Sequence, residues 1–417
     1  MANIISILFI FLSLIVVYFY WRKSNFSQWV LVSALLAIVS HHVLSGYNII
    51  YGPLPVAALD AYSFHLHGIQ RVDIPEYKTW SIGSDIYKSL LASVYGLFGK
   101  SLWLGQSFSI IFYAFSCIAL MYFAKLLRLN NTSSVIAILC FGLLPSSLLY
   151  ASFTLREPLF TAFFMLGVLA GFQSISFDER SKQWQMWVLA TICFIIMGTL
   201  HMVLLVYAIV VSGILFLVLF KQRSSWQQLV FVMLVGVGVV ALILLAMKEL
   251  LPANLADDYF AMLRIQIDGE VVPLPQAISI YHQTANETGA STQYSAYLEF
   301  KTWGRMFIVF IYSYIFYMGW PLTGDYFQLS TLVIFCEAAF RLLGVACLVC
   351  LVLKKPKNIS TPHLSSQWFW LMLVYFSLSF LWNIGTSNHG QALRHHYMTE
   401  WILILAIVYF FQKVKSK

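Results

Sequence analysis

The chain alternates between long apolar runs, nearly free of charge, and short polar connections. A helix that crosses the hydrocarbon core of a bilayer needs about 20 mostly apolar residues. Eleven stretches meet that need: 4–21, 27–49, 102–126, 134–153, 158–176, 184–199, 201–220, 227–247, 329–353, 367–382 and 397–412. The first has neither a basic leading segment nor a small-residue cleavage site, so it reads as a membrane helix and not as a signal peptide. The expected fold is therefore an all-α polytopic membrane protein of about 11 transmembrane helices, with residues 1–417 forming a single integral membrane domain. Residues 305–320 (RMFIVFIYSYIFYMGW) are apolar too, but counting them as a crossing would carry the basic run 354–357 to the other face. They are expected to form an interfacial or re-entrant helix, since aromatic side chains favour headgroup depth.

Composition agrees with this pattern, with 60% of residues hydrophobic and only 10% charged. The net charge of +8 on a soluble chain would suggest nucleic acid. Here the cations sort by loop. One set of connections holds Arg22, Lys23, Lys125, Arg128, Arg180, Lys182, Lys221, Arg223, Lys354, Lys355, Lys357, Lys413, Lys415 and Lys417 against two anions, Asp178 and Glu179. The rest of the chain is net acidic. Positive loops face the cytoplasm, so the N-terminus is expected outside and the C-terminus inside, and no nucleic-acid partner is expected. The long external segments are then 50–101 and 248–328, with short external turns at 154–157 and 383–396. No Gly-rich phosphate loop occurs in the short cytoplasmic connections, which argues against a nucleotide-driven machine. All six cysteines fall in apolar runs, so neither a disulfide framework nor a metal site is expected.

Candidate chemistry gathers on the external side. Asp60 lies just beyond the second span in 53–71 (PLPVAALDAYSFHLHGIQR), where a desolvated carboxylate could act as a base; the alternative is a helix cap for 61–70. His65 and His67 are two residues apart and diverge on a helix, which makes them a poor metal pair. Arg156 and Glu157 occupy a tight turn closed by Pro158, either as boundary charges that reach water or as a functional pair in which the guanidinium holds a lipid-linked phosphate. The last external turn carries His389, Arg394, His395 and His396, with Glu400 a turn further on; such a cation cluster fits a phosphate or anionic headgroups. Glu337 and Arg341, four apart within the span 329–353, share a helix face and are a candidate channel pair. The 248–328 loop adds Asp257, Asp258, Arg264 and Asp268 among the aromatics Tyr281, Tyr294, Tyr297 and Trp303, a mixture suited to sugar rings or to a loop lying on the bilayer.

An apolar second span, an outer loop with an Asp, and then 83–126 (GSDIYKSLLASVYGLFGKSLWLGQSFSIIFYAFSCIALMYFAKLL) resemble the front of polyprenyl-phosphate-dependent GT-C glycosyltransferases over about the first 175 residues. In that family an acidic residue of the first external loop acts at the catalytic centre, and Asp60 occupies the matching position, although Ala61 stands where a second acidic residue is usual. LREP at 155–158, Trp320–Pro321 and NHGQALRHH at 388–396 are similar to O-antigen and exopolysaccharide polymerases of bacterial surface-glycan assembly.

The resemblance implies a glycosyltransferase in the cell inner membrane, working at its periplasmic face on a polyprenyl-linked glycan donor and a glycan acceptor. The cofactor is left open between none and a divalent cation, and the expected partners are membrane lipids and other polysaccharide-assembly proteins. Asp60 and Glu157 are the expected catalytic carboxylates. Arg156, Arg394, His395 and His396 are the expected contacts to the lipid phosphate. A lipid-linked oligosaccharide flippase is the alternative, and it would need polar residues along a central cavity.

Overall fold

The computed structural model describes residues 1–52, 58–74, 80–177, 179–221, 265–267, 270–272, 279, 303–319, 329–353, 363–384, 386 and 389–415. The expected span 227–247, the basic run 354–357, Trp320–Pro321 and the acidic and aromatic residues named between 257 and 297 lie outside them. The described chain is helical apart from a short antiparallel ribbon, Ile265–Ile267 against Glu270–Val272. It divides into two compact units, one of residues 1–212, 343–376 and 396–417, the other of residues 213–342 and 377–395.

In the first unit α1 (Ala2–Ser24) and α2 (Gln28–Tyr51) precede a pair of shorter helices, α3 (Ala58–Asp73) and α4 (Ser84–Phe98). Then come α5 (Leu102–Leu126), α6 (Asn131–Leu143), α7 (Pro145–Ala151), α8 (Glu157–Ser176), α9 (Arg180–Thr199) and α10 (Met202–Lys221). Beyond the ribbon lie α11 (Trp303–Gly319), α12 (Leu329–Leu353), α13 (His363–Ile384), α14 (His389–Tyr397) and α15 (Glu400–Lys415). Among the described residues, α1, α2, α5, α8 and Phe335–Leu353 of α12 are long and apolar enough to cross a membrane. The bent pair α6–α7 makes a sixth. Helices also cover the other expected runs at 184–199, 201–220, 367–382 and 397–412.

Two of these helices show what holds a bundle together where lipid surrounds it. The residues α1 buries are Ser6, Ser13, Val17 and Ser24, while Ile4, Leu8, Phe11, Ile15 and Phe19 face outward. Helix α2 likewise turns Ala34, Ala37, His41, Ser45 and Asn48 inward and Trp29, Val32, Leu36 and Val43 outward. In hydrocarbon, outward apolar side chains lose nothing, and small or polar ones let helices approach and bond. Gly142 of α6 is such a contact: a Cβ there would run into Ala37 and stand 3.0 Å from the Tyr113 hydroxyl. An aromatic seam, Trp401 with Phe123 at 4.7 Å and with Phe164 at 6.2 Å, seats α15 against α5 and α8.

The break between α6 and α7 follows from Pro145. Proline lacks an N–H and crowds the preceding turn, so it ends α6 and opens a new helix as its first residue. Leu144 takes an extended ψ of 135°, and the two axes meet at 58°.

Hydrogen bonds sort the connections of this unit into two ends. At one, Ser27 N–H donates to Asn131 Oδ1, Asn130 N–H donates to Gln412 Oε1, and Gln412 donates back to the Arg128 carbonyl. Gln173 bonds the Tyr122 hydroxyl and Gln367 bonds Ser176 on the neighbouring helices of the same end. Arg22, Lys23, Lys125, Arg128, Lys413 and Lys415 belong to these connections. At the other end, Ser101 reaches Asn3, Phe98 packs on Phe9, and Gly83 N–H donates to the Thr199 carbonyl at 2.7 Å.

Candidate functional site

The end remote from the basic connections is built on the α3–α4 pair. Arg71 is 7% exposed and holds the two helices together. Its guanidinium bridges Asp85 Oδ1 at 2.7 Å and donates to the Asp85 carbonyl at 2.9 Å and to Ser89 Oγ at 2.7 Å. Burial pushes the Asp85 carboxyl up, but hydrogen bonds from Ser81 and Lys88 and the charges of Lys88 and Arg71 outweigh it and hold it below its ordinary value. One face further round, His65 Nδ1 meets the Tyr95 hydroxyl at 2.8 Å, and burial lowers the His65 pKa. His67 faces out and bonds the Ser63 carbonyl, so the two histidines diverge. Asp60 is exposed in the first turn of α3, inside the helix and not at its cap.

Onto this pair the α7–α8 connection is pressed. Residues Ser152, Phe153, Thr154 and Leu155 are each at most 2% exposed. A turn expected at the external surface is instead interior. Non-helical backbone at such depth must find partners in the protein. Ser109 Oγ, on α5, approaches the Leu155 carbonyl at 3.2 Å and the Gly105 carbonyl at 3.3 Å. With its own hydrogen turned to carbonyls, that hydroxyl accepts from Tyr87, 2.9 Å away.

The connection delivers Arg156 and Glu157 to the start of α8. Arg156 donates to the Leu200 carbonyl at 2.9 Å, and its guanidinium carbon stands 5.8 Å from the centroid of Phe64, within cation–π range. Phe64 is one helical turn beyond Asp60, so α3 sets both residues on one side. Glu157 is 2% exposed at the helix N-terminus, where the backbone dipole favours a carboxylate. Burial drives the Tyr87 phenol well above its ordinary pKa, and the neighbouring Tyr95 and Glu157 add to the rise. Arg156 is thus set against Phe64 of α3 with Glu157 beside it in the chain, and Asp60 is exposed one turn before Phe64.

No protein family, curated protein or solved structure matches the chain. What the site can do therefore rests on its own chemistry. Among the described residues no three His, Cys, Asp or Glu side chains gather as a metal site would require. A guanidinium beside a helix N-terminus, with one buried and one exposed carboxylate, can hold an anion and take a proton.

The second unit contains Glu337, Arg341, Arg394 and His395. Glu337 and Arg341 are 3% and 4% exposed, and Arg341 donates to the Met318 carbonyl at 3.1 Å, which fastens α12 to the end of α11. Asn383 bonds Ser313 and the Phe310 carbonyl, fastening α13 to α11. His395 lies flat on Trp382, ring centroids 4.0 Å apart and planes 12° apart, with Nδ1 2.7 Å from Thr386 Oγ1. Thr386 spends its hydroxyl hydrogen on the Trp382 carbonyl at 2.6 Å, so it accepts from His395 Nδ1–H. In the neutral ring Nε2 is then the accepting nitrogen. His396, the next residue, is 1% exposed and belongs to the first unit.

Sequence reading passed over one group. His41 on α2, stacked on Tyr113 of α5 and close to the Ser147 carbonyl of α7, is buried, and the neighbouring Ser146 bonds Glu400, which the sequence had marked only beside the last external turn. His41 and Tyr113 lie in apolar runs with nothing to mark them; two adjacent histidines at 41–42, mid-span, were the available signal.

Proposed function

We propose that the chain is a membrane glycosyltransferase of the cell inner membrane. It takes a sugar or oligosaccharide from a polyprenyl-(pyro)phosphate donor at the periplasmic face and joins it to a glycan acceptor in surface-polysaccharide assembly, by single-sugar transfer or repeat-unit polymerisation. The observation that carries this reading is the seating of Arg156, with Glu157 next to it in the chain, on Phe64 of α3, at the end of the bundle remote from the basic connections. That end is where a lipid phosphate and an acceptor from outside would meet.

In the proposed step the bond from the anomeric carbon to the phosphate oxygen breaks while the acceptor oxygen bonds to that carbon. Arg156 receives the charge developing on the leaving phosphate. Asp60, the exposed carboxylate, takes the acceptor hydroxyl proton. Glu157 balances and orients the guanidinium. Arg156→Ala and Asp60→Asn are expected to abolish surface-glycan synthesis while the protein accumulates normally, and Arg394→Ala tests the last loop separately. Normal polysaccharide in both of the first two variants refutes the assignment.

A second reading, a lipid-linked oligosaccharide flippase, draws on His41 and Glu400, since ionisable groups inside a bundle suit a transport path. A deletion strain separates the two. Repeat units that are flipped but not joined mark a transferase, and units retained on the cytoplasmic leaflet mark a flippase.

A further inference from the structure

At the basic end of the first unit, one residue holds a backbone conformation that its side chain does not favour. Arg128 follows α5 with φ 55°, and among the described residues only Asn25 shares a positive φ without being glycine. Glycine or asparagine usually fills such a left-handed cap, and other L-residues are strained there. The conformation is fixed from several directions. Arg128 N–H donates to the Lys125 carbonyl at 3.0 Å, Leu129 N–H donates to the Ala124 carbonyl at 2.9 Å, and the Arg128 carbonyl accepts from Gln412 Nε2 at 3.1 Å. Gln412 Oε1 takes the Asn130 N–H at 2.9 Å, so one α15 side chain grips both flanks of Leu129. An arginine kept where glycine would be easier points to a use for its side chain.

That side chain is exposed, and its surroundings are cationic. The charge of Arg128 reaches the Tyr409 phenol of α15. Lys413, one turn further on and also exposed, has its Nζ 5.6 Å from the centroid of the same ring, within cation–π range. Tyr409 is 3% exposed and is backed by Trp368 of α13, ring centroids 5.1 Å apart. Lys125, in the last turn of α5, adds a third exposed cation. The sequence has no Asp or Glu in residues 1–59, 86–156 or 401–417, so α1, α2, α5, α6 and the length of α15 past Glu400 bring no carboxylate to this end. The described carboxylate of the α8–α9 connection, Glu179, is paired with Lys182. Like charges gathered this way repel unless an anion sits among them.

We infer that Arg128 and Lys413 flank a binding site for the phosphate of an anionic phospholipid, seated against Tyr409 where α5 and α15 end. The guanidinium offers paired N–H donors to phosphate oxygens, and the ammonium offers a compact charge. Basic pockets between helix ends suit anionic lipid heads. A diacyl lipid is the occupant because the helices here turn apolar side chains outward, Phe411 and Val414 of α15 and Ile136 of α6 among them, along which acyl chains can lie. A free phosphate would use none of that surface. Bound there, the lipid ties the α5–α6 turn to α15 and offsets the repulsion between the two cations. The site lies at the end remote from Arg156 and does not depend on the glycosyl-transfer reading.

The test is native mass spectrometry of the full-length protein with added phosphatidylglycerol or phosphatidylcholine. Phosphatidylglycerol is expected to bind the unmodified protein about tenfold or more tightly, the effect of two cations on one anionic head. Arg128→Gln and Lys413→Gln are each expected to weaken phosphatidylglycerol about fivefold, the effect of one cation, and to leave phosphatidylcholine unchanged. Arg128→Gly separates this role from a structural one. Glycine relieves the left-handed cap, so this variant is expected to unfold at an equal or higher temperature in phosphatidylcholine nanodiscs while still losing phosphatidylglycerol about fivefold. Unchanged lipid discrimination in these variants overturns the inference. So does an equal loss in Lys23→Gln, which marks a diffuse basic surface, and so does displacement of the lipid by inorganic phosphate at similar concentration, which marks a phosphate site that needs no lipid.

Discussion

Replacing Arg71 by methionine keeps the apolar stem and deletes the charge that pins α3 to α4. The side chains of Arg71 and Asp85 are 9% and 29% exposed. Removing one member of a fully buried pair costs about 3–5 kcal/mol. Water reaches Asp85 and takes over part of its charge, which lowers the figure, while the lost bond to Ser89 adds about 1 kcal/mol. The net expectation is about 2–4 kcal/mol, or roughly a 30- to 1000-fold rise in the opening of the pair. Amide hydrogen exchange of residues 84–98 in lipid nanodiscs reads that opening directly. Asp85→Asn in the Arg71→Met background should add little, since the two residues share one interaction. Exchange within about threefold of the unmodified protein in Arg71→Met would refute the assignment of Arg71 as the tie.

Acid should loosen the same pair in two stages. His65 and Asp85 both have folded-state pKa values below their ordinary ones; their contribution is complete above those ordinary values and is lost as pH falls. Exchange protection in α3 should therefore decline first below about pH 6.5, and His65→Gln should remove that first stage. Gly142→Ala should cost about 1–3 kcal/mol by overpacking α6 on α2, seen as a lower unfolding temperature; Gly46→Ala, with nothing within 4 Å of the added carbon, should be neutral. Thr386→Val should release the His395 tautomer and Thr386→Ser should keep it, as read from the ring-nitrogen signals.

The described helices were legible because most of the expected spans carry an apolar run nearly free of charge, and such a run leaves a membrane chain few alternatives. Pro145 was visible in 134–153, yet the bend needs the observation that α7 packs where a straight helix would not. Arg156 and Glu157 drew attention as charges, but their burial did not show, because a polar turn between two spans looks the same whether water or protein surrounds it. Asp60 could be read as a cap only while the helix was thought to start at 61; with α3 beginning at Ala58 it lies inside the first turn. His41, marked only by its neighbour His42, was passed over for a different reason. Its partners are backbone carbonyls and a tyrosine ring distant in sequence, and these leave no spacing to detect.

The buried stretch from Ser152 to Leu155 also constrains biogenesis. A nascent α7–α8 segment leaving the translocon alone would carry peptide groups into lipid with nothing to meet them. Ser109 and Tyr87, which close that connection, lie upstream and have left the ribosome by then. Synthesis thus supplies the receptor before the guest, and a chain whose fifth helix inserts late would strand its eighth at the membrane surface.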